Sequence, residues 1–173
     1  KKTLEAVTQL VAERGISKRW DFDAKIATIM YDDSLSGEKR RDALKRVATQ
    51  AGSEFANVRN RAQALGAETF LEEKDYVSPQ AVFERVTKDP KSDHRTLAIA
   101  WSGLGDCHYQ SGSKNPAAEG SAVRLQEALK AYMRVVVLYK GESAYVGRAM
   151  FYAGRIYTLM ETEEATENAK KLF

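Results

Sequence analysis

The chain has 173 residues, 43% hydrophobic and 29% charged, enough for one ordinary domain with a covered core. Its 27 basic and 24 acidic residues leave a net charge of +3, too balanced for the basic face that a nucleic-acid backbone demands. A single cysteine (Cys107) allows no intrachain disulfide, two histidines (His94 and His108) supply no metal-ligand set, and no apolar run approaches the ~20 residues of a membrane span.

Residues 2–14 place Leu4, Val7, Leu10 and Val11 at helical spacing, with Gly15 as the expected C-cap. A second helix is expected over 18–32, from Phe22, Ile26, Ile29 and Met30, stopping at Asp32-Asp33-Ser34. Ser36 offers a capping hydroxyl to a third, with Glu38 in its first turn, running to about Gln50. Gly52 ends it, and Ser53 is expected to cap a fourth that reads through Phe55, Val58, Ala62, Leu65 and Phe70. After a polar link at 71–77, Ser78-Pro79 supplies a hydroxyl cap and a proline at the first helical position. That helix carries Val82, Phe83 and Val86 and ends at Asp89-Pro90. Ser92 or Asp93 caps the next, which carries Leu97, Ile99, Ala100, Trp101 and Leu104 to about Gln110. The Gly/Ser/Pro-rich stretch 111–121 reads as a mobile, dispensable loop. Helical patterning resumes over 122–139 and 143–160, and Thr162 with Glu163-Glu164 begins a last helix. The expectation is an all-α chain of nine helices; even VVVLY at 135–139 occupies a position that is helical in the repeats below.

Three stretches of equal length line up: residues 44–66, 83–105 and 132–154. Each opens on a large apolar residue (Leu44, Phe83, Tyr132), carries Arg-Val at its third and fourth positions, and closes on Gly66, Gly105 or Gly154. Gly66 and Gly105 are 39 residues apart, as are Tyr31, Phe70 and Tyr109 in turn, while Gly154 follows Gly105 by 49 because of the 111–121 insertion. Self-similarity at a fixed period signals stacked repeats, each burying its apolar face against its neighbours. The units are 18–51, 52–90, 91–141 and 142–173, with 1–17 as the second helix of a preceding truncated repeat, all within one domain spanning 1–173. Because the chain opens on Lys1 inside a helix, a longer parent protein is expected. The repeated apolar positions predict a core of Leu65, Phe83, Val86, Leu97, Trp101, Leu104, Tyr132, Val135 and Met150, with glycines where partner helices approach closely.

No segment supplies an enzyme's parts. GLGD at 103–106 lies inside a helix, with no preceding strand and no following Lys-Ser/Thr to cradle phosphate. Cys107 and His108 are adjacent on a helix and so point about 100° apart, without a third orienting group. The pairs Asp32-Asp33 and Glu72-Glu73 sit in turns, as solvated caps do.

AWSGLGDCHY (100–109) resembles the opening of a tetratricopeptide repeat in its Trp101 and Leu104-Gly105, although the next aromatic, Tyr109, falls one place late. EALKAYMRV (127–135) resembles that family's second helix through Ala128, Tyr132 and Val135. The unit of 39 exceeds the family's ~34, and LYKGESAYVGRAMFYAG (138–154) is similar to the longer type found in bacterial cell-envelope proteins. The resemblance covers roughly residues 18–173. It implies a right-handed α-solenoid of stacked antiparallel helix pairs, with a HEAT-type stack as the structural alternative. It further implies a non-enzymatic scaffold without cofactor or metal, binding a protein or peptide on its concave face, in a periplasmic or cell-envelope setting or else the cytoplasm. Nucleic acid and membrane insertion are not expected. By family register, the inner-face positions are Thr28, Tyr31, Gln63, Phe70, Ser102, Asp106, Tyr109, Phe151, Arg155 and Thr158. Tyr31, Phe70 and Tyr109, one per unit, would form an aromatic ladder there or pack between units. The competing reading is a spacer or homo-oligomerisation arm of a larger protein, with no groove ligand.

Overall fold

The repeated helix signals materialise as seven helices, with no strand among the described residues: α1 (Lys18–Met30), α2 (Gly37–Ala51), α3 (Ala56–Glu72), α4 (Gln80–Lys88), α5 (His94–Ser113), α6 (Ser121–Leu138) and α7 (Ser143–Leu159). The computed structural model describes residues 18–160 together with Ala6, Gln9 and Leu10. The helix expected from Thr162 lies outside those residues, as does all but three positions of the one expected over 2–14.

Local chemistry sets most boundaries. The Ser36 hydroxyl accepts the Lys39 N–H at 3.4 Å and the Asp93 carboxylate accepts that of Thr96 at 2.9 Å, each satisfying an orphan donor of a first turn. Two expected caps are replaced. Ser53 caps nothing, because the Phe55 N–H reaches back to the Ala51 carbonyl and α3 opens one residue later without a side-chain cap. Before α4, the Asp75 carboxylate accepts both the Val77 and Ser78 N–H groups, and the Gln80 N–H that a Ser78 cap would take reaches the Val77 carbonyl at 3.3 Å instead. Pro79 therefore precedes the helix, Asp89-Pro90 closes it, and α4 is left with nine residues against fifteen in α2 and eighteen in α6.

The 111–121 stretch is also not the free loop expected from its composition. Its first three residues continue α5, where buried Gly112 packs so closely that an added Cβ would meet Leu125 Cγ at 3.0 Å. The Ser121 hydroxyl donates to the Asn115 carbonyl at 2.7 Å, and Arg124 donates to the Ser111 hydroxyl at 2.6 Å. Excising the stretch would remove packed groups; the irregular connection is only 114–120.

The helices form two rows. Within the odd series, α1 touches α3, α3 touches α5 and α5 touches α7. Each of α2, α4 and α6 touches only its neighbours in sequence, and these three do not touch one another. Three apolar clusters lie between the rows. The first joins Phe22, Ile26, Leu44, Val47 and Val58; the second joins Leu71, Phe83, Val86, Ile99 and Leu104; the third joins Tyr109, Leu125, Tyr132, Val135 and Ile156. Of the expected core, Phe83, Val86, Leu104, Tyr132 and Val135 are buried, whereas Leu65, Leu97, Trp101 and Met150 are half-buried. The Arg134 guanidinium covers part of the Trp101 ring, at 4.2 Å from its centroid.

Glycine placement separates two helices of the odd row. On α5, a Cβ at Gly105 would stand 2.5 Å from Tyr132 Cε1 and one at Gly103 2.5 Å from Phe83 Cε2, so both rings rest on bare backbone. On α3, a Cβ at Gly66 would find its nearest atom, Leu44 Cβ, at 3.9 Å, an ordinary contact. The close-approach role expected for Gly66 is therefore not what the packing requires there.

Candidate partner-binding surfaces

The residues expected to share one inner wall fall on three different surfaces. Tyr31, 72% exposed, directly follows α1 and borders a cleft of about 480 Å³ along the odd row, together with Met30, Leu65, Glu68, Arg95 and Tyr145. Gln63 and Phe70 lie on the far side of α3 and line a second cleft between α2 and α4. With 100° per residue, Gln63, Gly66 and Phe70 share a face that is nearly opposite to that of Leu65 and Glu68. Tyr109 is 4% exposed, packed on the Tyr152 ring at 5.0 Å between centroids. Ser102 and Asp106 are enclosed as well. Phe151 and Arg155 are exposed on α7, where Arg155 lies over both the Tyr109 and Phe151 rings at 5.9 Å. Thr28 and Thr158 bond to carbonyls of their own helices.

The continuous ladder is thus corrected to separate rings. The repeat alignment treated every odd helix as rolled alike, but neighbours on both sides wrap α5, while short α4 leaves part of α3 bare. The sequence period carries no information on that roll.

Enclosure of Asp106 creates a polar brace across the odd row. The Tyr132 hydroxyl donates to Asp106 Oδ1 at 2.7 Å, and Arg148 of α7 forms an ion pair with Oδ2 at 2.5 Å. The same guanidinium stands 3.8 Å from Glu68 on α3, and the Tyr145 hydroxyl donates to Glu68 at 3.3 Å. Helices α3 and α7, which have no backbone contact, are thereby linked over α5. Burial raises the Asp106 carboxyl to about 6 despite Arg148, and raises Glu68 in the same direction. Two carboxylates share one guanidinium, so protonating one of them relieves like-charge repulsion.

Neither residue of the Cys107-His108 pair is arranged for nucleophilic chemistry. Cys107 is buried, with its thiol pushed up to about 12 by desolvation and then by Asp106, and burial lowers His108. No group of three or more His, Cys, Asp or Glu suited to a metal occurs among the described residues, and no helix among them is long and apolar enough to cross a membrane.

A cleft of about 720 Å³ lies between α2 and α4, with α3 as its floor. Small residues pave it: Ala48, Ala62, Gly66 and Ala67, with Phe70 and Val82 toward one end. Its lining carries Arg41, Lys45, Arg59 and Arg85 against the single carboxylate of Asp42. Arg41 lies over the Phe70 ring at 4.1 Å and pairs with Glu73 at 2.9 Å, and Arg59 pairs with Asp89 at 2.9 Å. Arg85 donates to the Gln63 amide oxygen at 3.2 Å, and Lys45 is exposed. Of this lining, Gln63 and Phe70 are among the inner-face positions expected from the sequence, and the α2 cations are not. The available signal was the closeness of Pro79 to Pro90, which limits α4 and uncovers α3.

Comparison with family models, curated proteins and solved structures finds no match for this chain.

Proposed function

We propose that the chain is a non-enzymatic interaction module, a solenoid of stacked antiparallel helix pairs of tetratricopeptide type that holds a peptide or partner helix. The observation that supports this reading is the alternation of contacts: the odd helices meet in series, whereas α2, α4 and α6 stay apart. Short connections at 52–55, 89–93 and 139–142 suit antiparallel neighbours, and the three clusters each bridge consecutive helices, as a stack of repeats requires. A stack of this kind offers grooves along both rows. The inner row keeps an open cleft at Tyr31 but is filled at Asp106 by the brace; the outer row opens between α2 and α4.

Panning a displayed peptide library against the folded chain tests this, with hydrogen exchange of chain plus enriched peptide as the map. Enriched sequences that compete with one another and protect amides of α1–α4 are the expected result. Failure to enrich any sequence would overturn the reading.

The spacer or oligomerisation alternative draws on one observation. Val123, Val137 and Leu138, all more than half exposed, share a face of α6. Light scattering decides it: a dimer that Val137→Lys dissociates would favour the arm.

A further inference from the structure

Resting on the interaction-module reading, we infer that the cleft between α2 and α4 receives a short acidic segment of a partner protein, with small apolar side chains laid on the α3 floor and carboxylates toward the two walls. Charge and shape both point to this occupant. Arg41 and Arg59 are already paired, with Glu73 and Asp89, so the cations left for a ligand are Lys45 on the α2 wall and Arg85 on the α4 wall. Among the described residues Lys45 meets no carboxylate within ion-pair distance, and Arg85 donates to a neutral amide oxygen. They flank the floor from opposite sides, and Arg46 and Lys88 extend the same sign outward along α2 and α4. Asp42 alone opposes them on the lining. A carboxylate on either edge of a bound segment would therefore gain a partner, whereas a basic segment would meet like charge from both walls.

The floor sets the other half of the preference. Ala62, Gly66 and Ala67 bring the bound chain close to α3, and the Gly66 environment shows that helix packing does not need the missing side chain. What its absence does is deepen the cleft. Val82 and the Arg41-capped Phe70 ring close one end and offer apolar contact. A phosphate backbone would gain from the cations but nothing from this apolar paving, which is why a peptide is favoured over RNA.

Fluorescence anisotropy can test the assignment with three labelled probes: a twelve-residue peptide alternating Glu with Ala and Leu, its Lys-for-Glu counterpart, and an oligouridylate. The acidic peptide should bind and weaken as salt rises. The Lys45→Glu/Arg85→Glu variant, whose two side chains are exposed, should keep the wild-type melting temperature and bind the acidic peptide at least tenfold more weakly. Thr49→Trp, at an exposed position on the cleft wall, should block binding without charge change. Equal binding of acidic and basic peptides, binding that survives both variants, or displacement of the peptide by oligouridylate would each overturn the proposal. If library peptides protect the Tyr31 cleft while the acidic probe fails, this assignment falls and the interaction module stands; if no peptide of any composition binds, both fall.

Discussion

Gly66 and Gly105 hold the same place in their repeats, yet one floors an open cleft and the other lies under a tyrosine ring. The difference is made by the outer helix that follows. Eighteen-residue α6 lays Tyr132 across Gly105, while nine-residue α4 sends Phe83 forward onto Gly103 of α5 and leaves Gly66 bare. A turn at Asp75 and a stop at Pro90 are enough to convert a packing position into a binding position. The length of the following helix thus decides which of these two aligned positions is core.

The largest test of the contrast is to open the closed side. Tyr132 is fully buried, and Tyr132→Ala should cost about 3–5 kcal/mol, since it leaves a cavity and removes the donor to Asp106. Denaturant unfolding measures it. In that background, Gly105→Ala should lose most of its own penalty, because the ring that an added Cβ would strike is gone.

The next effect belongs to the brace and is read against pH. The folded-state value of Asp106, about 6, stands above its ordinary 3.8, so folding favours the protonated acid. The stabilisation is fully present below 3.8 and is lost as pH rises through about 6. Melting temperature should therefore rise on acidification from pH 7 to pH 5, and Glu68, shifted the same way, adds to the trend. On the order of 3 kcal/mol is at stake over the full window. Asp106→Asn, which mimics the neutral form, should flatten the profile; an unchanged profile would place the titration elsewhere.

Much of this was legible in the chain. Apolar spacing located the helices, and Ser36 and Asp93 cap where their positions suggest. Ser53 and Ser78 do not, because the Ala51 and Val77 carbonyls take the Phe55 and Gln80 N–H groups that those hydroxyls would have capped. The period correctly grouped Phe83 with Tyr132 as buried rings, but it could not say that Tyr109 would be covered by Tyr152, forty-three residues on, or that Phe70 would face away from Tyr31. Helix roll depends on contacts distant in sequence, and a repeat alignment assumes it constant. Lys45 and Arg85 were invisible as a pair for the same reason: only the missing contact between α2 and α4 sets them across a cleft.

The smallest effects come from placing one substitution at both glycines. Gly105→Ala drives a methyl into the Tyr132 ring, in a position held from behind by the Asp106 bond, and should lose about 1–3 kcal/mol from overpacking. Gly66→Ala puts the same methyl in ordinary contact with Leu44 while removing a glycine from the interior of a helix. Here the propensity gain, up to about 1 kcal/mol, has no clash to offset it, so the variant should melt higher than the parent. The added methyl also raises the cleft floor, so the acidic probe should bind more weakly to this more stable protein. Stability and binding moving in opposite directions at Gly66, but not at Gly105, is the outcome expected if one glycine serves the cleft and the other the core. Two variants that destabilise alike would show that Gly66 is held against a neighbour after all, and that α3 and α5 do not differ in this respect.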